Sequence, residues 1–150
     1  MSIIKYYVSC GDDKISEMFT PYVWKEYGLD TVLEKCIQSQ KFDSDLYLLL
    51  VEYYVEGKFD VNGPEYPKVS NYSKKNKSVS VAFTVRKKMF HDRNEFERRE
   101  FIVDSTIQAI RLVKEKLSKK KLNIDFDQLL LEIKPAIEKY LTSNHSYSQT

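Results

Sequence analysis

The hydrophobic period changes once in the second half of the chain, and this change constrains the fold more than any other sequence feature. Between Ser78 and Phe90 apolar and polar residues alternate, which predicts a strand with one face in the core. Between about Asn94 and Lys120 the apolar residues recur at helical spacing, which predicts one long amphipathic helix. The second half therefore combines a half-buried strand with a long helix.

The first half adds strands and shorter helices. Ile3–Cys10 is β-branched and aromatic, and it predicts a strand that ends at a turn. Lys14–Gln40 is amphipathic, and Pro21 and Gly28 are expected to divide it into two helices. In Asp45–Phe59 both sets of alternate positions are apolar, so both faces of a strand would be apolar. This predicts a central strand covered on both sides, although a buried helix has the same pattern.

The remaining elements complete an α+β fold. Lys68–Tyr72 predicts a short strand before a hairpin turn, and a last helix begins near Asp125, with a kink or restart at Pro135. The polar tail, residues 142–150, is expected to fray. The order of elements predicts a single domain over residues 1–150, with a small, mainly antiparallel sheet packed by helices and a long helix in the C-terminal half.

Residues that usually carry catalysis or bind metals are scattered along the chain. His91 and His145 are the only histidines, and neither the cysteines nor the glycines form a metal-binding or phosphate-binding pattern. Asp92 and Glu95 lie beside arginines, as in the charged start of a surface helix. We therefore expect no enzyme activity, no catalytic residue, no metal and no cofactor.

The composition indicates a protein of the cytoplasm. Cys10 and Cys36 have no metal or redox spacing, so both are expected to be reduced and buried. The start of the sequence lacks the continuous apolar region of a signal peptide, and no stretch reaches the roughly 18 apolar residues of a membrane span. The expected location is cytoplasmic, without a membrane partner.

The segment RKKMFHDRNEFERREF, Arg86–Phe101, concentrates arginines, acids and one histidine, as a catalytic or nucleic-acid site would. Simpler elements explain it. Arg86–Phe90 ends the strand, His91–Arg93 forms a turn, and Asn94 caps the long helix, with acids in its first turn. The sequence leaves open whether His91 and the surrounding arginines contact solvent or a partner.

Charge is distributed unevenly along the chain. Residues 10–65 carry twelve acids and five lysines, a net charge of −7, whereas residues 66–150 carry eighteen bases and ten acids, a net charge of +8. Bases near Tyr72 and Phe90 would suit a small nucleic-acid-binding protein, which is the alternative function. The acids of the first half and the pI of about 8.4 count against nucleic acid, and each half can equally solvate its own face.

The succession of elements in the second half resembles a known class of proteins. The strand SVSVAFTVRKKMF, the helix NEFERREFIVDSTIQAIRLVKEKLSKKKL and the segment IDFDQLLLEIKPAIEKYL together resemble immunity proteins of bacterial polymorphic toxin and contact-dependent growth inhibition systems. The resemblance implies a small, cytosolic, non-catalytic protein of one domain, which binds a cognate toxin domain and neutralises it by occlusion. It implies a role and no site residues.

Acids of the first half are the candidate contacts with such a toxin. They would complement a basic toxin, such as a nuclease, and charge complementarity accelerates association. With tyrosines as anchors, the candidate toxin-binding residues are Asp12, Asp13, Glu17, Asp43, Asp45, Glu56, Asp60 and Glu65. The near-neutral net charge leaves the class of toxin open. A homodimer is a further option, because an exposed aromatic patch would support one.

Overall fold

The computed structural model describes residues 3–9, 13–36, 45–55 and 67–142. Helices and strands account for most of these residues. In chain order they are β1 (Ile4–Ser9), α1 (Asp13–Val23), α2 (Leu29–Cys36), β2 (Leu48–Val55), β3 (Lys68–Val69), β4 (Ser78–Val85), α3 (Lys87–His91), α4 (Glu95–Leu117) and α5 (Phe126–Leu141). Cys10, His145 and the tail predicted to fray lie outside the described residues, except for Thr142.

The four described strands form one mixed sheet in the order β1-β2-β4-β3. β1 is parallel to β2 and β2 is parallel to β4, whereas only the two-residue β3 runs antiparallel, beside β4. The predicted α+β class is confirmed, but the sheet is mixed and not mainly antiparallel. Alternation along a strand reports which residues share a face, whereas the connection between strands sets their direction. A crossover that contains α1 and α2 returns the chain to the same edge of the sheet.

One face of the sheet is buried beneath helices. Along β2 and β4 every second residue is buried and the residues between are half-buried. β2 was predicted to be covered on both sides, but only one of its faces is fully buried. The buried side chains of this inner face are Ile4, Tyr6, Leu49, Val51, Tyr53, Val55, Val79, Val81, Phe83 and Val85. Phe19 of α1 packs on the ring of Tyr53, with centroids 5.5 Å apart. The predicted central position of β2 is confirmed.

Two tyrosine hydroxyls join the inner face to α4. The Tyr6 hydroxyl lies 2.7 Å from Thr106 Oγ1, and the Tyr53 hydroxyl lies 2.5 Å from Ser105 Oγ. The two rings stack, with centroids 6.5 Å apart and planes inclined by 7°. These bonds satisfy hydroxyls that burial removes from water, and they fix α4 against β1 and β2.

The predicted long helix is confirmed as α4, and its start follows the predicted chemistry. The Asn94 side chain accepts a hydrogen bond from the Glu97 backbone N–H, and the Glu97 carboxylate accepts one from the Asn94 N–H. This reciprocal pair satisfies two backbone donors that the helix itself leaves free. The strand before it is shorter than predicted, because Lys87–His91 forms the helix α3 instead of extending β4. The helical turn brings Phe90 into the core, where its ring stacks on Phe19 with centroids 4.2 Å apart.

The predicted division of the first helical segment occurs near Gly28. α1 continues through Pro21 and ends at Val23, and α2 begins at Leu29. A Cβ atom at residue 28 would lie 2.4 Å from the Val23 carbonyl carbon, so only glycine fits this approach. α5 begins after Asp125, whose carboxylate accepts from the Gln128 N–H, and it runs through Pro135 without the predicted restart.

Candidate binding surfaces

The acids predicted to contact a toxin lie in different parts of the chain, and the structure describes only some of them. Glu17 is exposed on α1. Asp13 begins the same helix, and its side chain is not described. The candidates outside the described residues are Asp12, Asp43, Glu56, Asp60 and Glu65.

Six of these eight acids share a relation to the sheet. Asp12, Asp13 and Glu17 follow β1 in the sequence, and Glu56, Asp60 and Glu65 follow β2. Because β1 and β2 are parallel and adjacent, their carboxyl ends lie at the same edge of the sheet. Ser9 and Val55, the last residues of the two strands, therefore lie at neighbouring positions of this edge.

Asp45, at the opposite end of β2, makes bonds within the protein. Its carboxylate accepts a hydrogen bond of 2.7 Å from the Asn123 N–H, and its own N–H donates to the Asn123 carbonyl at 3.1 Å. The Tyr72 hydroxyl donates to the Asp45 carbonyl oxygen. Asp45 is half-buried and joins the start of β2 to the connection between α4 and α5. Its carboxylate is already engaged inside the protein.

The outer face of the sheet carries an aromatic cluster that sequence reasoning missed. We call Tyr7, Leu50, Glu52 and Tyr54 the tyrosine face. Strand register places Tyr7 directly opposite Glu52, and Tyr54 lies two residues along the same face of β2. The rings of Tyr7 and Tyr54 meet edge to face, with centroids 6.4 Å apart. Leu50 lies on this outer face and is only half-buried, and Tyr7 is 47% exposed.

Hydrogen bonding holds part of the tyrosine face in place. The Tyr54 hydroxyl donates to Glu52 Oε2 at 2.6 Å. This bond to a carboxylate, with partial burial, raises the pKa of Tyr54 to about 12. No cation among the described residues pairs with Glu52, and none of them hydrogen-bonds to the Tyr7 hydroxyl. The face therefore presents a carboxylate flanked by two aromatic rings, which is suited to a cationic side chain.

Lys5 lies on the same outer side of β1, and its charge is compensated by α2. Its ammonium is 2.6 Å from Glu34 Oε1 and 3.6 Å from Asp30 Oδ1. Burial raises the pKa of the Asp30 carboxyl, although Lys5 opposes that shift, whereas the hydrogen bond from Lys5 lowers the pKa of Glu34. The three groups form a charged link between the edge strand and α2, beside the tyrosine face.

The arginines after β4 contact their own chain. Arg98 donates from Nε to the Phe90 carbonyl at 3.0 Å and from a terminal nitrogen to the His91 carbonyl at 2.7 Å. Arg99 is buried and donates to the carbonyls of Tyr140 and Leu141 at the end of α5, at 3.4 and 3.5 Å. A cation there interacts favourably with the helix dipole. His91 is exposed, with its ring 3.2 Å from the Asp92 carboxylate. These arginines hold the ends of α3 and α5 in place.

A second surface, rich in lysine, lies where β2 begins. The Tyr47 N–H donates to the Lys77 carbonyl at 2.7 Å, and Asp45 is bonded to Asn123, so two loops meet at residues 45–47. We call the lysines of these loops the lysine edge: Lys74, Lys75, Lys77, Lys119, Lys120 and Lys121. All are exposed except the half-buried Lys77, whose ammonium lies 4.7 Å from the centroid of the exposed Tyr47 ring. None of the six forms an ion pair with a described residue.

The described part of the chain carries neither of two specialised features. No group of three or more His, Cys, Asp or Glu side chains there could hold a metal ion. No helix there is both long and apolar enough to cross a membrane. The features that stand out in the described structure are thus surfaces suited to recognition.

Comparison with known proteins gives one match. The sequence model of the family described as immunity protein 44 matches residues 5–143, which include almost every described element. Neither the curated proteins nor the solved structures contain a match. The family match covers far more than half of the chain and agrees with the resemblance seen in the second half of the sequence. The chain belongs to the immunity protein 44 family, and it is an immunity protein of a bacterial toxin system.

Proposed function

We propose that this chain is a non-catalytic cytoplasmic protein that binds a cognate toxin domain and neutralises it by occlusion. The observation that carries the proposal is the family match over residues 5–143. An immunity protein of this kind needs a surface that recognises one partner and no reaction centre of its own. The toxin itself is expected to be encoded next to the immunity gene.

The tyrosine face is the surface that we assign to the toxin. Tyrosine is favoured at binding hot spots because a rigid ring buries a large area at a small entropic cost, and its hydroxyl still hydrogen-bonds. The edge-to-face contact of Tyr7 with Tyr54, and the bond from Tyr54 to Glu52, order this surface before binding. Ordering in advance lowers the entropic cost of association.

Charge indicates which kind of toxin surface fits. Glu52 has no cationic partner among the described residues. In the sequence, the segments that follow β1 and β2 contain six of the eight candidate acids. An arginine or lysine of the toxin can stack on a tyrosine ring and pair with the Glu52 carboxylate. The proposed partner therefore presents a basic surface to the tyrosine face.

Co-expression with the toxin domain encoded immediately upstream tests the function. The wild-type chain is expected to restore growth and to co-purify with that domain. If the neighbouring gene encodes no toxin, or if the two proteins neither co-purify nor protect the cell, the proposed function is wrong.

Substitutions then test the surface separately. Tyr7→Ala and Glu52→Lys are each expected to weaken toxin binding by ~30-fold or more, as removal or reversal of a hot-spot group does. Leu131→Ala is the matched control, because Leu131 is 64% exposed on α5, a helix on the opposite side of the sheet. Calorimetry with purified toxin domain measures the affinities. Equal affinity for Tyr7→Ala, Glu52→Lys and wild type would place the toxin elsewhere while leaving neutralisation intact.

A further inference from the structure

The lysine edge is not explained by toxin binding at the tyrosine face. The tyrosine face is centred toward the carboxyl ends of β1 and β2, whereas the lysine edge surrounds residues 45–47, just before β2 begins. The two surfaces lie at opposite ends of the same strand and carry opposite charge. A partner that suits one is repelled by the other.

The six lysines of the lysine edge come from two segments that are distant in the sequence and meet in the structure. The turn with Lys74, Lys75 and Lys77 and the loop with Lys119–Lys121 are more than 40 residues apart in the chain. The bonds from Tyr47 to Lys77 and from Asp45 to Asn123 bring both segments to the start of β2. In addition, Lys116 at the end of α4 donates to the Val69 carbonyl at 2.9 Å, which holds this helix end beside β3.

Two acids near the lysine edge are engaged by groups other than its lysines. The Asp45 carboxylate already accepts a hydrogen bond from the Asn123 N–H. Asp127 forms an ion pair of 2.7 Å with Lys114, which is not one of the six lysines. The acids of the first half counted against a nucleic-acid partner at the sequence level. Of the described acids of that half, Asp45 lies at the lysine edge with its carboxylate bonded to Asn123, whereas Glu17 lies on α1 and Glu52 lies toward the carboxyl end of β2.

Apolar and aromatic groups accompany the charge. Tyr47 is 63% exposed beside Lys77, so one face of its ring is available to a planar ligand. Between the end of α4 and the start of α5 lies a cavity of about 260 Å³. Leu117, Leu122 and Phe126 contribute to its apolar wall, and Lys120, Asp125 and Asp127 are part of its polar lining.

We propose that the lysine edge binds the phosphate backbone of single-stranded nucleic acid, with bases against Tyr47 and in the neighbouring cavity. Lysines supply mobile point charges for phosphates, and aromatic rings stack on bases of any sequence. The expected binding is independent of base sequence, because the edge offers charge and stacking and no ordered set of base-specific donors. This activity goes beyond toxin neutralisation and does not depend on it.

Fluorescence anisotropy with a labelled single-stranded RNA oligonucleotide tests the proposal on the full chain. If each of the six lysines neutralises one phosphate, log Kobs falls with log salt concentration with a slope of about −4. The double variant Lys74→Glu/Lys75→Glu and the double variant Lys119→Glu/Lys121→Glu are each expected to weaken binding ~10-fold or more at low salt. Tyr47→Ala is expected to weaken it ~5-fold or more by removing a stacking surface.

The control has the same change in net charge at a different place. Lys134 and Lys139 are exposed on α5, and the double variant Lys134→Glu/Lys139→Glu should bind RNA within about twofold of wild type at the same salt concentration. Circular dichroism confirms that each variant is folded. The altered lysines are exposed, so substitution at the surface should leave the core intact.

Three outcomes would overturn the proposal. The first is absence of an anisotropy change at low salt. The second is equal weakening by the control, which would show an effect of net charge alone. The third is a loss of toxin binding with unchanged RNA binding in the lysine variants, which would assign the edge to an acidic protein surface. None of these outcomes bears on protection by wild-type protein in co-expression, so failure here and failure of the proposed function are distinguishable.

Discussion

The two faces of the sheet each carry a pair of tyrosines, and the pairs come from the same two sequence doublets. Tyr6 and Tyr53 point inward, whereas Tyr7 and Tyr54, the next residue in each strand, point outward. Both inner hydroxyls bond to side chains of another element, α4. On the outer face, Tyr54 bonds within its own strand, and the Tyr7 hydroxyl has no described hydrogen-bond partner. The same residue type thus stabilises the fold on one side and forms the exposed surface that we assign to the toxin on the other.

Truncation of an inner tyrosine should give the largest loss of stability. Tyr53 is fully buried and contacts the rings of Phe19, Phe83 and Phe101. Tyr53→Ala should lower the free energy of unfolding by about 3–5 kcal/mol, because a large cavity replaces these contacts. Urea denaturation followed by circular dichroism measures the change. A loss below about 1 kcal/mol would contradict the view that this ring holds the sheet to the helices.

Alkaline pH should have the next largest effect on stability, through the buried tyrosines of the inner face. Burial raises the pKa of Tyr6 and that of Tyr53 well above 10, the ordinary value near which both would ionise in the unfolded chain. Above pH 10 the folded state therefore binds more protons than the unfolded state. Stability that is fully present below pH 10 should be lost as pH rises, by about 1.4 kcal/mol per pH unit for each tyrosine.

The matched variant for this pH dependence is Tyr6→Phe/Tyr53→Phe. Its free energy of unfolding should fall less steeply between pH 10 and 11 than that of wild type. Urea denaturation at pH 9, 10 and 11 gives both slopes. Identical slopes would mean that these hydroxyls do not supply the proton linkage. Tyr54→Phe should also reduce the slope, because the bond to Glu52, together with partial burial, raises the pKa of Tyr54 to about 12.

Removal of a single buried hydroxyl should lower the free energy of unfolding by an intermediate amount, and the amount should depend on which partner of the bond is removed. Tyr53→Phe leaves Ser105 with backbone acceptors at Phe101 and Ile102, so its cost should be about 1 kcal/mol. Ser105→Ala leaves the buried Tyr53 hydroxyl without that partner and should cost more, about 1–3 kcal/mol. A double-mutant cycle in urea measures their coupling. Additive losses would show that the 2.5 Å contact contributes no interaction energy.

The smallest stability effect is expected on the outer face. Tyr7→Ala should change the free energy of unfolding by less than about 0.5 kcal/mol, because the side chain is 47% exposed and lies outside the core. The same substitution should nevertheless weaken toxin binding, as argued above. Denaturation and calorimetry on one preparation compare the two effects. A large loss of stability would make Tyr7 a structural residue like Tyr6 and remove the contrast.

Much of the fold followed from local patterns. Alternation in β4 and helical spacing in α4 come from the side chains of each segment, and the Asn94 cap depends on residues three positions apart. The direction of the strands does not have a local cause. The two parallel pairings join segments that are distant in the chain, and local patterns do not report them. For this reason the sheet was predicted to be mainly antiparallel, whereas the structure shows a mixed sheet. α3 was missed because five residues are too few to show a helical period.

The candidate surfaces were less accessible to sequence reasoning. The acids were chosen by composition, and five of the eight lie outside the described residues. A usable signal was present in the doublets Tyr6–Tyr7 and Tyr53–Tyr54, since alternation must place one tyrosine of each on the outer face. Pairing of β1 with β2, and therefore the meeting of Tyr7 with Tyr54, required the tertiary structure. The same is true of the lysine edge, which two remote loops build together.

The parallel pairing of β1 also determines when the sheet can form during synthesis. β1 has its neighbour only after residue 55 has left the ribosome, and the third long strand follows at residue 85. The final helix closes the core later still, when the Tyr140 hydroxyl donates to the Tyr22 carbonyl across 118 positions of sequence. A nascent chain released early would expose the inner face to water and to other chains. The described fold is therefore complete only after α5 has been synthesised.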